Sequence, residues 1–251
     1  MSKIGKRQNQ ENVKYEGKEE LGLSEDFLDR YNRFIIREFE RKMGHYSSNR
    51  DDLKVLDFGA GIGTLAILWK EMIGGKVDCL EIDADQLSEV RNRGLTGYSS
   101  LSEIENRYDF IYTSNVLEHI EDDRSTLEAL NLMLKDDGRI GVYVPAFMVL
   151  FSGLDKAVGH YRRYSKRELT EKIKSAGFEI VECNFIDSIG FFASLFVRIV
   201  GYKGVGNLGG CKSLRLYDGV VFPLSQVLDR LGLRYLFGKN LMVVATKVIS
   251  Q

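Results

Sequence analysis

The sequence predicts an α/β fold built on a mostly parallel sheet with helices on both faces. Three observations predict it. Apolar runs alternate with helix-forming segments from Leu53 to Val144, and strands that alternate with helices cross over and pair in parallel. The first run leads into Val55-Leu56-Asp57-Phe58-Gly59-Ala60-Gly61-Ile62-Gly63-Thr64-Leu65-Ala66, which reads as a strand, a glycine turn and a helix start. The glycine turn, Glu81, Ser99–Ser100, Asn115 and Pro145 then stand at the carboxyl ends of successive predicted strands, where open α/β sheets hold their ligands.

The elements follow in order. Ser24 to Met43 carries Phe27, Leu28, Tyr31, Phe34, Ile35 and Phe39 at roughly helical spacing, with Ser24 as N-cap. Asn49 to Asp52 is a polar connection. Leu53–Phe58 is a strand, Leu65–Met72 a helix, Lys76–Glu81 a strand and Asp85–Arg93 a helix. A short strand at Thr96–Ser99 precedes the strand Tyr108–Ser114 and the helix Asp123–Leu134. Asp137-Gly138 turns into the strand Arg139–Val144, which Pro145 stops. Ser165 and Glu168 predict a capping box for a helix reaching Ala176, with Gly177 just past its end.

Phe178–Phe185 and Leu241–Val248 are the last two strands. Between them lies a long insertion, Ile186 to Asn240, where a short hairpin would otherwise be enough. It holds the uncharged, Phe-rich segment Ile189–Val197, a glycine-rich loop from Gly201 to Gly210, and an amphipathic helix near Pro223 to Leu231. The Phe-rich segment is too short for about 30 Å of hydrocarbon. It is read as a buried helix or lid, with a membrane-surface contact or a dimer face as the alternatives.

A chain of 251 residues can bury one substantial core, so residues 21–251 are expected to form one domain with 186–240 as a lid or acceptor-side insertion. Residues 1–20 read as a flexible, solvated tail. A formal net charge of −1 supplies no global field for nucleic acid or an acidic membrane. Cys79, Cys183 and Cys211 are far apart and lack metal spacing; reduced thiols and a cytoplasmic location are the expectation. The polar N-terminus is not the pattern of a signal peptide.

The glycine turn carries the most chemistry. Glycines let the backbone turn sharply and let a ligand approach, while free N–H groups at the helix start attract an anion. Asp57 stands before the first glycine and can receive a cation. A site for both a carboxylate and an ammonium suits the amino-acid end of S-adenosylmethionine better than a pyrophosphate. The same turn and Glu81 loosely satisfy a dinucleotide fingerprint, which makes a nicotinamide-dependent oxidoreductase the first rival. The alternate glycines, Thr64 at the third glycine place and the charge of Asp57 count against it.

Val55 to Gly63, Cys79-Leu80-Glu81-Ile82-Asp83, Tyr108 to Ile120 and Leu132 to Arg139 together resemble the class I S-adenosylmethionine-dependent methyltransferases, and the similarity runs from about Leu53 to Lys247. Gly159-His160-Tyr161-Arg162-Arg163-Tyr164-Ser165 also resembles a segment of many bacterial members. The resemblance implies a Rossmann-like, seven-stranded sheet of order 3-2-1-4-5-7-6 with a reversed final strand, and S-adenosyl-L-methionine as cofactor. It names no acceptor.

It also assigns roles. Asp57, Gly59, Ala60, Gly61 and Gly63 would meet the methionine end, Glu81 the ribose hydroxyls, Ile82 the adenine face and Asn115 the ammonium. The family often has an acid after the third strand; here Ser100 and Leu101 take that place, so a hydroxyl or carbonyl would meet the adenine. Asp83 reads as a helix cap. Among His45, His119 and His160, a base for the acceptor is read first at His160 and second at His119. Arg162, Arg163 and Tyr164 would fix the acceptor, although internal salt bridges are the competing reading for the arginines. Some relatives hold a divalent ion near Glu118-His119; with Asn115 in place of the first glutamate, no metal is expected. The favoured acceptor is a small molecule or a glycan- or lipid-linked group, nucleic acid being weaker despite Arg162, Arg163, Lys166 and Arg167. A non-catalytic cofactor-binding partner is the second rival. Peripheral membrane contact and the oligomeric state stay open.

Overall fold

Alternating apolar residues on the central strands give the sheet two buried faces, and the helices between them cover both. The computed structural model describes residues 25, 27–44, 50–201 and 210–248. The expected tail (1–20), Ser24, His45 and most of the glycine-rich loop (202–209) lie outside these residues.

Helix α1 (Asp29–Met43) precedes strand β1 (Lys54–Phe58), α2 (Thr64–Met72), β2 (Lys76–Leu80), α3 (Ala84–Asn92) and β3 (Thr96–Tyr98). Next come β4 (Tyr108–Ser114), α4 (Asp123–Met133), β5 (Leu134–Pro145), α5 (Gly153–Ala157), α6 (Lys166–Ser175) and β6 (Phe178–Ile186). The insertion supplies α7 (Ser188–Val200), α8 (Gly210–Leu216), a π-helical turn at Tyr217–Val221 and α9 (Phe222–Arg230) before β7 (Asn240–Lys247). The strands form one sheet of order β3-β2-β1-β4-β5-β7-β6, with β7 antiparallel to both neighbours. That is the expected topology.

Along β1 the side chains alternate. Leu56 and Phe58 face a core built with Leu127 and Leu130 of α4 and Leu169 and Ile173 of α6. Val55 faces the opposite core, with Ile35, Ile36 and Phe39 of α1 and Trp69 of α2. Trp69 stacks on Phe110 at 5.5 Å and Tyr112 at 5.2 Å between ring centroids, so α2 is held flat against the sheet centre.

Three expectations need correcting. Strand β5 begins at Leu134, straight after α4, rather than at Arg139. Tyr108 pairs with Leu134 and Phe110 with Arg139, so the residues between loop out as a bulge while Lys135 Nζ reaches Asp109 at 2.7 Å. At α6, Ser165 Oγ accepts from Glu168 N at 3.1 Å, but the Glu168 carboxylate faces Lys172 Nζ at 3.7 Å. The reciprocal box sits instead at Ser152 and Asp155, opening α5. The Phe-rich segment is a helix, as expected, yet it is not fully buried: Phe192 and Phe196 are exposed.

Acids from the insertion cap distant helices. The Asp218 carboxylate accepts from Arg30 N and Tyr31 N at 3.1 and 2.9 Å, in the first turn of α1. Asp229 accepts from Asp187 N and Ser188 N at 2.8 and 3.2 Å where α7 begins. The insertion is therefore tied to the N-terminal helix by charge-assisted bonds to helix-start N–H groups. No helix among the described residues is long and apolar enough to cross a membrane.

Candidate functional site

A cavity of about 570 Å³ opens at the carboxyl ends of β1, β2 and β4. Its floor is the turn after β1. Gly59, Gly61 and Gly63 all have positive φ, at 78°, 56° and 83°, where a side chain would be strained. A Cβ on Gly59 would lie 2.3 Å from a Val116 methyl, and one on Gly63 2.8 Å from Leu95. The turn thus requires glycine for its backbone and for its packing.

The N–H groups of this turn are not left free. Gly59 N and Ala60 N donate to the Leu80 carbonyl at 2.9 and 3.0 Å, Gly63 N donates to Ala60 at 2.9 Å, and Gly61 N donates to Glu81 Oε2 at 2.8 Å. An anion would instead meet the first turn of α2, where Thr64 and Leu65 line the cavity and whose N–H groups lack intrahelical partners.

Asp57 is 2 % exposed, lines the cavity and has an oxygen, Oδ2, with no hydrogen-bond partner. Burial pushes its pKa up to about 7; Tyr112 opposes the rise and the Glu81 carboxylate adds to it. The Tyr112 hydroxyl lies near without completing a well-formed hydrogen bond. A buried carboxylate with one unpartnered oxygen in a cavity can receive a cation.

Glu81 is buried at the end of β2, and its pKa is raised by burial despite bonds from Asp83 N and Gly61 N. Oε1 accepts from Asp83 N at 2.9 Å, so the carboxylate braces the glycine turn as well as facing the cavity. Ile82 is 82 % exposed on the cavity wall, an apolar face free to meet a planar group. Asp83 caps α3 by accepting from Gln86 N at 2.9 Å, the role read from the sequence. Asn115, at φ 55°, is exposed on the rim.

Other placements depart from expectation. Ser100 and Leu101 do not line the cavity: Ser100 Oγ lies 2.8 Å from Ser102 Oγ, and Leu101 packs on the core beside α4. Pro145 likewise stands outside the lining. Arg162, Arg163 and Tyr164 are held internally. Arg162 pairs with Asp123 at 2.9 Å. Arg163 is buried and forks onto both Asp155 oxygens at 2.7 and 3.1 Å. The fully buried Tyr164 hydroxyl donates to Asp123 Oδ2 at 2.8 Å. Anchoring a loop, rather than facing an acceptor, is what these contacts accomplish.

His119 lines the cavity, whereas His160 stands behind it with ring centroids 4.6 Å apart. His160 Nδ1 is 2.9 Å from Asp155 Oδ1. Burial, followed by the neighbouring His160, lowers the His119 pKa to about 4 against an opposing bond with the Gly159 backbone; the ring is neutral at physiological pH. Glu118 is fully buried, neither carboxylate oxygen has a hydrogen-bond partner although His160 Nε2 stands 3.9 Å from Oε1, and burial pushes its pKa up to about 8 with its own backbone and Arg163 pulling the other way.

Glu118, His119 and His160 bring ligand atoms within 4.8 Å of one another. The set offers a single carboxylate, Asn115 stands where a further glutamate would be, and Asp155 is bound to Arg163. A hard cation needs more oxygen donors than this. Activity is expected to survive dialysis against a chelator; loss of turnover restored by added metal would overturn that reading.

Helix α1 supplies Tyr31, Asn32 and Ile35 to the cavity wall, which the sequence did not disclose. Their helical spacing marks them as inward-facing and says nothing of what they face.

The Methyltransferase domain family matches residues 27–183. No curated protein matches the chain. Among solved structures, a chain in the complex of the Haloferax volcanii Trm112 methyltransferase activator with its methyltransferase superposes with TM-score 0.62 at 15% identity, covering 94% of this chain and 100% of that one. A SAM-dependent methyltransferase from Archaeoglobus fulgidus gives 0.59 at 17% identity, with 91% and 99% covered. Haemonchus contortus phosphoethanolamine N-methyltransferase 2, in complex with S-adenosyl-L-methionine, gives 0.62 at 18% identity over 94% of this chain and 59% of that one. At these identities the likeness is one of fold.

Proposed function

The chain belongs to the class I S-adenosylmethionine-dependent methyltransferases, and from that premise we propose that it methylates a hydroxyl or amine of a small molecule or of a glycan- or lipid-linked acceptor that approaches past His119. The observation that carries this reading is the pairing, across one cavity, of a buried carboxylate with one unpartnered oxygen at Asp57 and a neutral imidazole at His119.

Asp57 would take the ammonium of S-adenosylmethionine and the first turn of α2 its carboxylate. Glu81 would accept from the ribose hydroxyls, and Ile82 would cover the adenine. Bound this way the cofactor supplies an electrophilic methyl on a good leaving group. The residues contribute alignment in a site shielded from water. Neutral His119 can receive the proton that an oxygen or nitrogen acceptor releases. His160 stands behind it in a supporting place, with Asp155 fixing its orientation. The nucleic-acid reading loses support, since Arg162 and Arg163 are already in internal ion pairs.

The test is release of S-adenosylhomocysteine when purified protein is mixed with S-adenosylmethionine and hydroxyl- or amine-bearing acceptors. With an active acceptor, His119→Ala is expected to lower kcat by about 10²–10⁴-fold while cofactor affinity changes by roughly twofold or less. Unchanged kcat in that variant would reject the base role. Failure of the wild type to bind S-adenosylmethionine in calorimetry would reject the site itself.

A further inference from the structure

We propose that the outer face of the 186–240 insertion docks on an anionic lipid bilayer, a reading that does not depend on which acceptor is methylated. It rests first on an inside-out helix. Along α8, the π-helical turn and α9, the polar residues Asp218, Ser225 and Asp229 are buried, while Leu216, Val220, Leu224, Val227 and Leu231 are 50–79 % exposed. The exposed five recur every three or four residues and so form one stripe. Phe192, Phe196 and Ile199 make a second exposed stripe on α7. The two helices meet through polar contacts, Ile189 N donating to Ser225 Oγ at 3.0 Å and Ser188 N to Asp229 Oδ1 at 3.2 Å. Polar groups have been used for the packing and apolar ones left outside. A contiguous apolar surface of this kind marks an interaction site.

Charge identifies the partner. The acids of this segment, Asp187, Asp218 and Asp229, are all buried and receive backbone N–H groups at helix starts. The basic side chains point elsewhere. Arg198 donates to the Met148 and Val149 carbonyls, Arg215 lies over Phe27 at 5.0 Å, and Arg234 lies over Tyr235 at 5.1 Å. Among the described residues, Arg198, Lys212, Arg215, Arg230 and Arg234 form no ion pair with a carboxylate. An exposed apolar stripe bordered by cations alone is the pattern of a helix lying in the membrane interface, and each basic side chain near an anionic leaflet strengthens binding roughly fivefold. On the cytoplasmic placement expected from the sequence, that leaflet is the inner one. A second copy of the chain would bring the same cations face to face, which disfavours a symmetric dimer there.

Position makes the surface useful. Ile186 pairs with Asn240 and Asn240 with Pro145, so the insertion leaves and rejoins the sheet at the edge where the cavity opens. A chain resting on this face would hold its active-site edge near the bilayer.

The test is flotation of the full chain with vesicles of phosphatidylcholine containing about a quarter phosphatidylglycerol, against vesicles of phosphatidylcholine alone. Binding to the anionic vesicles is expected to be about tenfold or more tighter, and to weaken in roughly 0.5 M salt. Ile199→Glu combined with Leu231→Glu should cut it by about tenfold and leave S-adenosylmethionine affinity unchanged, since neither residue lines the cavity. Retained cofactor binding also certifies that the variant folds. Absence of flotation, equal binding to both vesicle types, or a variant that binds like wild type would each overturn the proposal. So would a concentration-dependent dimer, dissolved by the same double substitution, in a chain that fails to float.

Discussion

Asp57→Asn is expected to weaken S-adenosylmethionine binding by about two orders of magnitude while making the ligand-free protein more stable at pH 8. Both effects come from one carboxylate. In the empty site burial holds its pKa near 7, well above the ~3.9 of an exposed aspartate. A raised folded-state pKa means that the folded chain holds the proton more tightly than the unfolded chain. The associated stability is complete below the unfolded pKa and drains away as pH rises toward 7. Three units correspond to ~4 kcal/mol at most; a gain of about 2 kcal/mol at pH 8 is a reasonable expectation for a site that admits some water. The amide removes the ionisation and with it the penalty, but it offers the ammonium no charge.

The wild type should also bind more weakly as pH falls through 7, because Asp57 must lose its proton to pair with a cation. Calorimetry in buffers of different ionisation enthalpy would read this as a fraction of a proton released near pH 7. The Asn variant should release none. Wild-type affinity in Asp57→Asn would show that Asp57 is not the receptor for the ammonium, and an unchanged melting temperature at pH 8 would show that its ionisation does not destabilise the empty site.

Asp155→Ala carries the next largest effect. Asp155 is 1 % exposed and holds the buried Arg163 through two hydrogen bonds, His160 through another, and Ser152 N at 2.8 Å. Burial alone would raise its pKa; the bonds from His160 and Arg163 outweigh that and hold it well below the usual carboxylate range. Its stabilisation is therefore complete above the unfolded pKa of ~3.9 and is lost as pH falls below it.

Removing Asp155 leaves a buried guanidinium unpaired, at a cost of about 3–5 kcal/mol, and opens the capping box of α5 at about 1 kcal/mol more. Denaturant titration would measure both together. Asp155→Leu combined with Arg163→Met should recover much of the stability, because a buried pair replaced by apolar groups is often neutral. It should not recover kcat, because His160 would still lack its orienting partner. Recovery of both would make Asp155 purely structural; recovery of neither would show that the loop needs the ion pair for its shape.

Much of this chain could be read without coordinates. Short-range rules sufficed for β1, the glycine turn and the cap at Asp83, since each depends on neighbours within a few residues. They also placed Asp57 and Glu81 at strand ends, the family resemblance added Ile82, and all three line one cavity. They failed wherever a side chain's partner lay far along the chain. Arg162, Arg163 and Tyr164 form a cluster suited to an anion until Asp123 and Asp155 are seen to occupy them. His160 follows the fifth strand and looks the better base, yet His119 is the imidazole that reaches the cavity.

The insertion divides the two kinds of information most clearly. Helical spacing in Leu216, Val220, Leu224, Val227 and Leu231 is a property of the sequence, and so is the apolar run of α7. Periodicity specifies that a helix has an apolar side; it carries no information on which side faces the protein. That orientation was decided by Asp218 and Asp229, whose buried carboxylates bind helix-start N–H groups of α1 and α7 and turn the polar side inward. The sequence by itself determined the alternation of strands and helices in a mostly parallel sheet and the glycine turn, because local periodicity and backbone conformation specify those. The lining from α1, the histidine that lines the cavity and the outward apolar stripe were decided by tertiary structure, because they depend on long-range pairings that local patterns do not encode.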